Sequence, residues 1–126
     1  MQFRSPLGKV RGLGSAKDGT RHWWMQRVTA LALIPLAIWF VAGVVALLGK
    51  DHAAFTAWVK NPLSATLLVL LVAATFHHAQ LGLQVVIEDY VHREGAKIAA
   101  ILVVKFAAVV LAGIGIFSVL RIAFGS

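Results

Sequence analysis

Two adjacent histidines, His77 and His78, lie in a stretch whose other residues are mostly apolar. An ionisable side chain within a membrane span is costly and therefore indicates a functional site. A helix turns by about 100° per residue, so Gly82 and Asp89 lie on nearly the same face as His78. His77 points about 100° away, so the two histidines cannot serve one iron from the same side. Gly82 leaves room for a flat, bulky group beside His78.

A polar pair, Asp89 and Tyr90, follows at the end of the same apolar stretch. At about 1.5 Å per residue, these side chains lie roughly 16–18 Å from His78 along the helix axis. That distance is about half of a bilayer core. A deep histidine, a glycine beside it and a polar pair at the water boundary together predict a membrane-embedded redox site.

Each candidate residue has a functional and a purely structural interpretation, and the residue types alone leave both open. His78 is suited to bind haem iron through a ring nitrogen, or to hydrogen-bond across a helix interface. Arg27 is suited to pair with a haem propionate, or to lie at the interface and fix the topology. Tyr90 is suited to donate a hydrogen bond to a quinone carbonyl, and Asp89 to orient a neighbouring arginine or carry a proton. Equally, the two are an interface tyrosine and a solvated acid.

Motifs for hydrolysis or group transfer are missing from the sequence. No serine has a base at helical spacing, and there is neither a G-x-G-x-x-G motif nor a P-loop. Two histidines alone do not fix a metal. The chain is therefore predicted to be non-catalytic by itself, and a structural membrane scaffold whose histidines only bridge helices is one alternative.

The composition indicates a membrane protein. Of 126 residues, 60% are hydrophobic and 13% charged, and the mean hydropathy is +0.83. A water-soluble domain of this length could not cover so much apolar surface, so the bilayer must act as solvent. We expect a single domain over residues 1–126. The absence of cysteine excludes disulfides and thiolate-held iron–sulfur clusters within this chain.

The net charge of +7 is concentrated at one end. A basic arm, residues 1–22, holds five lysines and arginines against one acid, Asp18. Such an arm suits nucleic acid or anionic lipid, but no nucleic-acid motif accompanies it. Its placement before the first apolar run instead favours a topogenic role that keeps the N-terminus in the cytoplasm. A mitochondrial transit peptide has a similar basic, serine-containing composition.

Three apolar runs predict three transmembrane helices, at about residues 24–48, 63–90 and 98–123. Asn61-Pro62 is a helix-start signal for the second run, and residues 49–62 are expected to form a polar loop. Seven lysines and arginines, the five of the arm with Arg93 and Lys97, fall on the N-terminal side of the predicted membrane, against Lys50, Lys60 and Arg121 on the other. This asymmetry again places the N-terminus in the cytoplasm.

Two motifs resemble a known family. His78-Ala79-x-x-Gly82-x-x-x-Val86-x-x-Asp89-Tyr90-Val91 resembles the second transmembrane helix of the small hydrophobic membrane anchor subunit of succinate dehydrogenase (complex II). The opening H-W-W-M-Q-R-V-T-A, which contains Arg27, is similar to the alphaproteobacterial branch. The resemblance covers nearly the whole length, because three spans in so short a chain also fit the family.

The resemblance implies a fold, partners and site residues. It implies an all-α membrane protein that forms half of a two-subunit haem-binding helix bundle. The partners would be a second three-helix cytochrome b anchor, an iron–sulfur subunit, a flavoprotein subunit and membrane lipid, with no nucleic acid. By position, His78 would be the axial ligand of haem b and Arg27 the propionate contact. Tyr90 and Asp89 would bind ubiquinone.

The same resemblance implies a function and a location. The chain would anchor succinate:ubiquinone oxidoreductase and contribute to electron transfer from succinate to quinone. It would lie in a bacterial inner membrane rather than the mitochondrial one. A subunit of another quinone-linked b-type cytochrome, such as fumarate reductase, is the other redox alternative. His77 has no counterpart in the matched pattern.

Overall fold

The structure is a computed structural model that describes residues 17–125, all of which belong to helices or to short connections. Four helices follow one another along the chain: α1 (Lys17–Leu47), α2 (His52–Lys60), α3 (Pro62–Tyr90) and α4 (Glu94–Phe124). The three long helices are each long and apolar enough to cross a membrane. The predicted all-α fold with three apolar spans is therefore confirmed.

Helix α3 is the centre of the bundle. It packs against α4 along most of its length and against α1 on another side, and short α2 contacts both α3 and α4. Gly115 of α4 allows one close approach, since a Cβ there would lie 2.9 Å from Cγ1 of Val72. Small residues at such crossings let helix backbones approach, which is how membrane helices gain van der Waals contact.

Helix α1 begins earlier than its hydropathy indicates. The backbone is helical from Lys17, within the predicted basic arm of residues 1–22, and residues 1–16 of that arm lie outside the described part of the chain. Hydropathy marks where a helix enters hydrocarbon, whereas the backbone continues to form helical hydrogen bonds in the polar interface. Pro35 lies within α1, which continues to Leu47, as a proline in a membrane helix permits.

The segment predicted as a polar loop, residues 49–62, instead contains α2. The Asp51 side chain caps this helix by accepting a hydrogen bond of 3.0 Å from the backbone N–H of Ala54. Trp58 packs beneath α1, where its ring stacks on Trp39 at a centroid distance of 5.4 Å. A Cβ at Gly43 would lie only 2.6 Å from the Trp58 ring. Gly43 thus leaves the space in α1 that the Trp58 ring occupies.

The boundaries of α3 follow the sequence signals closely. Asn61 caps the helix through Oδ1, which accepts hydrogen bonds from the N–H groups of Leu63 and Ser64, and Pro62 occupies the first turn. The helix ends at Tyr90, as predicted. The following connection is shorter than expected, because α4 already begins at Glu94. An acidic residue in the first turn is favoured by the helix dipole.

Few side chains are buried within the chain. Helix α4 has no buried residue, and Val109 and Phe106 expose 70% and 68% of their surface. The most polar of the three spans is α3. The exposed apolar faces are thus suited to lipid or to other membrane helices.

Candidate functional site

The centre of the candidate site is a contact between α1 and α3. Thr29 Oγ1 lies 3.0 Å from Nδ1 of His78, and Thr29 is only 7% exposed. The same hydroxyl lies 2.7 Å from the carbonyl oxygen of Met25 and 3.1 Å from that of Gln26. The predicted helix places His78 on the face toward α1, where a hydroxyl from the neighbouring helix meets its ring.

The α1 side of this contact carries a row of polar residues. His22, Gln26 and Thr29 share one face of α1, since they are separated by four and three residues. Within residues 17–125, His22 Nε2 and Gln26 Oε1 are buried atoms with no hydrogen-bond partner. Buried polar atoms are normally paired, so these two atoms provide unused hydrogen-bonding capacity on the α1 face that carries Thr29.

Gly82 lies on the His78 face of α3, as the helix geometry predicts, but its Cα borders α1 rather than open space. A Cβ there would lie 3.7 Å from Nε2 of Gln26, which is ordinary van der Waals contact. A small side chain would therefore fit. The room for a flat group that the sequence suggests beside Gly82 is partly occupied by the Gln26 amide.

His77 occupies a different environment from His78. It is exposed and lines an open cleft of about 480 Å³ between α1, α3 and α4, opposite Lys105 of α4. His22 of α1 and Glu88 of α3 also line this cleft. The two adjacent histidines thus serve separate surfaces of α3, as their 100° separation requires.

The sequence reasoning overlooked two glutamines beside His77. Gln80 Nε2 donates to Oε1 of Gln84 at 3.1 Å, and Gln84 Nε2 donates to Oε1 of Glu88 at 3.1 Å. The signal was present as three polar residues at steps of four, which places them on one helix face. This chain of hydrogen bonds stays within α3 and leads from the membrane interior to the surface.

Arg27 is exposed and does not reach His78. Its guanidinium carbon lies 5.3 Å from the centroid of the Trp23 ring, one turn earlier on α1. A guanidinium that stacks through its face keeps its N–H groups available at the edges. Arg27 is therefore held against its own helix by Trp23, with an exposed guanidinium.

Asp89 and Tyr90 lie at the last turn of α3, and both are exposed, Tyr90 by 77%. The structure also relates this end to the start of α1, because Gly19 and Arg21 line the same cleft as Glu88. Thr29 and His78 are each twelve residues from the end of their helix at this side. The predicted quinone residues and the basic start of α1 therefore share one side of the membrane.

The donor set near His78 limits the kind of metal group that fits. Between residues 17 and 125, no three His, Cys, Asp or Glu side chains are arranged to hold a metal ion. A bare zinc ion needs three or four protein ligands, whereas haem iron requires only an axial ligand such as one histidine. A single imidazole with one ring nitrogen already paired fits the second case.

These features define a multi-pass membrane protein whose three long helices bring polar groups to their contacts inside the membrane. Residues 1–112 match the family model for the succinate dehydrogenase/fumarate reductase transmembrane subunit. The chain belongs to that family, and the resemblance seen in its motifs is confirmed.

Individual relatives agree with the family model. The chain is 35% identical over 103 residues to the succinate dehydrogenase hydrophobic membrane anchor subunit of Rickettsia bellii, and the match covers 82% of each chain. The subunit of the same name from Paracoccus denitrificans is 30% identical over 126 residues, which is all of this chain and 97% of the relative. A succinate dehydrogenase membrane anchor subunit from Reclinomonas americana is 27% identical over 96 residues, with 74% and 80% covered.

Proposed function

We propose that this chain anchors a succinate:ubiquinone oxidoreductase in a bacterial inner membrane and provides half of its haem b site and part of its ubiquinone site. Family membership supports the anchor role. The observation that carries the haem assignment is the buried contact between Thr29 and His78, because it holds one imidazole inside the membrane by a single ring nitrogen. Haem b, when bound, carries single electrons.

His78 is the proposed axial ligand, and the contrast with His77 supports this choice. His78 is partly buried against α1, whereas His77 is exposed in a cleft that Lys105 also lines. The ring of His78 is also oriented by a hydrogen bond to Thr29 on a second helix. Among the described residues, no such bond is found for His77.

Arg27 is the proposed contact for a haem propionate. Its exposed position near the interface suits a group whose carboxylates lie close to the membrane surface. The N–H edges of its stacked guanidinium suit the two oxygens of a carboxylate. Since the guanidinium is exposed, the haem would lie between this chain and a second three-helix anchor, which would contribute the other axial ligand.

Tyr90 is the proposed hydrogen-bond donor to a ubiquinone carbonyl. Its phenol is exposed at the end of α3, where an amphiphilic quinone head can approach from the bilayer. Asp89 beside it can exchange protons with water at the membrane surface. An iron–sulfur subunit docked on this side, with a flavoprotein subunit beyond it, would supply the electrons. The basic start of α1 lies on the same side, which we assign to the cytoplasm.

The first experiment is a reduced-minus-oxidised spectrum of the gently solubilised complex with succinate as reductant. A b-type band that appears with succinate is expected, because the proposal connects this chain to haem and to succinate oxidation. Absence of the band with intact succinate–quinone activity would retain the anchor role and reject His78 as a ligand. Reduction only by quinol, with fumarate as acceptor, would instead favour a fumarate reductase.

Tyr90→Phe tests the quinone assignment separately. Removal of the hydroxyl deletes one hydrogen bond to the quinone and leaves the helix end unchanged. We therefore expect quinone reductase activity to fall at least tenfold, because a loss of about 1.4 kcal/mol of transition-state stabilisation lowers a rate tenfold. Haem content should stay normal. Steady-state kinetics with a short-chain quinone measure this, and unchanged kinetics would remove Tyr90 from the site.

A further inference from the structure

We propose that Thr29 sets the tautomer and the ring orientation of His78, so that Nδ1 carries the proton and Nε2 presents its lone pair to the haem iron. The inference rests on the proposed function, because it specifies how the suggested axial ligand is held. It makes Thr29 a positioning residue that acts through His78.

The argument begins with the single proton of the Thr29 hydroxyl. Three acceptor-capable atoms surround Oγ1: the carbonyl oxygens of Met25 at 2.7 Å and Gln26 at 3.1 Å, and Nδ1 of His78 at 3.0 Å. Carbonyl oxygens only accept hydrogen bonds, so the short contact to Met25 requires the hydroxyl proton. A threonine inside a helix commonly donates to the carbonyl four residues earlier.

The proton of the second bond must then come from the histidine. If the hydroxyl donated to Nδ1 instead, its lone pairs would face two carbonyl oxygens at 2.7 and 3.1 Å with no proton between them. That arrangement is repulsive. Nδ1 therefore donates to Oγ1 of Thr29, and in a neutral imidazole the other nitrogen, Nε2, is left with the lone pair.

The same bond fixes how the His78 ring is turned. Rotation of the ring by 180° would replace Nδ1–H by a C–H group at the Thr29 hydroxyl and lose the bond. The unbroken sequence from His78 Nδ1–H through Thr29 Oγ1–H to the Met25 carbonyl joins α3 to the α1 backbone, and linked hydrogen bonds strengthen one another in a low-dielectric interior. Because Thr29 is buried, water does not replace this acceptor freely.

The hydrogen bond at Nδ1 also changes the strength of His78 as a ligand through Nε2. An imidazole whose Nδ1–H donates to oxygen is a more basic ligand at Nε2, and outer partners of this kind affect both metal affinity and redox properties. A more basic ligand stabilises ferric over ferrous iron. Loss of the Thr29 hydroxyl should thus raise the haem potential and weaken haem binding.

Thr29→Val and Thr29→Ser in the complete complex test this. Valine keeps the branched shape and removes the hydroxyl, whereas serine keeps the hydroxyl and removes the methyl group. With valine we expect haem to be lost about 10–100-fold more readily, and the remaining haem to show a more positive potential and altered ferric electron paramagnetic resonance. Serine should retain the wild-type potential and spectrum.

The outcomes distinguish a failure of the Thr29 inference from a failure of the proposed haem-ligand role of His78. If His78→Ala removes the haem but Thr29→Val leaves potential and spectrum unchanged, Thr29 only packs the helices and the inference is wrong. A lower melting temperature with no change in potential or spectrum would overturn it in the same way. If His78→Ala retains a normal haem, the ligand assignment itself fails and the inference fails with it. Should the valine complex not assemble, a shifted potential in Thr29→Ser would still overturn the inference.

Discussion

The two faces of α3 on which His78 and His77 lie satisfy polar groups in different ways. On the His78 face, the partner is a hydroxyl from another helix. On the His77 face, Gln80, Gln84 and Glu88 pair along α3 itself. A bond between helices fixes a side chain relative to a second element, whereas a bond within one helix fixes it only relative to its own backbone. The first face is therefore suited to hold a cofactor ligand in one orientation.

The magnitude of the interhelical bond supports this distinction. Hydrogen bonds between membrane helices contribute on average only about 0.6 kcal/mol, because the separated helices also find partners. The Thr29–His78 bond is thus a small contribution to stability. Packing at sites such as Gly115 against Val72 holds the helices together, and the polar contact determines how one ring is turned.

The largest effect is expected from the two histidines themselves. His78→Ala should abolish or strongly shift the haem spectrum, since it deletes the proposed iron ligand, while His77→Ala should leave the spectrum normal. Each variant is the control for the other, because they are adjacent in sequence and differ only in the face they occupy. Difference spectra of the purified complexes measure the outcome, and the reverse result would move the ligand to His77.

A smaller effect is expected where α3 packs against α4. Gly115→Val places a branched side chain against Val72, where even a Cβ would lie 2.9 Å away, so we expect a loss of about 1–3 kcal/mol from overpacking. Gly113→Val is the matched control, since no atom among the described residues lies within 4 Å of a Cβ there.

Both glycines lie in the middle of α4, so the intrinsic helix propensity cost of valine is shared and cancels in the comparison. Thermal unfolding of the complex in detergent, followed by circular dichroism, measures the difference. Equal melting temperatures for the two variants would show that the close contact between Gly115 and Val72 does not limit the packing.

The smallest effect is expected on the His77 face. Gln84→Leu interrupts the hydrogen bonds with Gln80 and Glu88, but both neighbours lie in the open cleft, where water can replace the lost partner. We expect a change in unfolding free energy of less than about 1 kcal/mol and an unaltered haem spectrum. A loss of haem in this variant would mean that the His77 and His78 faces are coupled rather than independent.

Much of the fold could be predicted from local signals. Asn61 and Pro62 indicate the start of α3, and the apolar run with its polar end indicates the stop at Tyr90. Helix α2 was missed because polar residues in 49–52 resemble a loop, although Asp51 as a cap followed by apolar residues at Phe55 and Trp58 is the pattern of a short amphipathic helix. Helices α1 and α4 also begin before the predicted spans, since hydropathy reports lipid contact rather than helical backbone.

The candidate site could be predicted only in part. The sequence identifies His78 and its helix face, because periodicity is a local property. Two features could not be foreseen, since they depend on how α1 and α3 cross. One is the buried Oε1 of Gln26, which has no hydrogen-bond partner within residues 17–125, and the other is the contact of Gly82 with the Gln26 amide. The stack of Arg27 on Trp23 is different, because both residues belong to α1 at a spacing of four and the contact is therefore local.

The sequence by itself determined three apolar helices, the positions of their polar residues and the separation of His77 from His78, because composition and helical period act along one chain. Only the tertiary structure decided that Thr29 faces His78 across two helices. Such a pairing joins residues 49 positions apart and depends on the relative rotation and depth of two spans. Packing between the helices sets these two quantities, and neither is encoded in the local pattern of either helix.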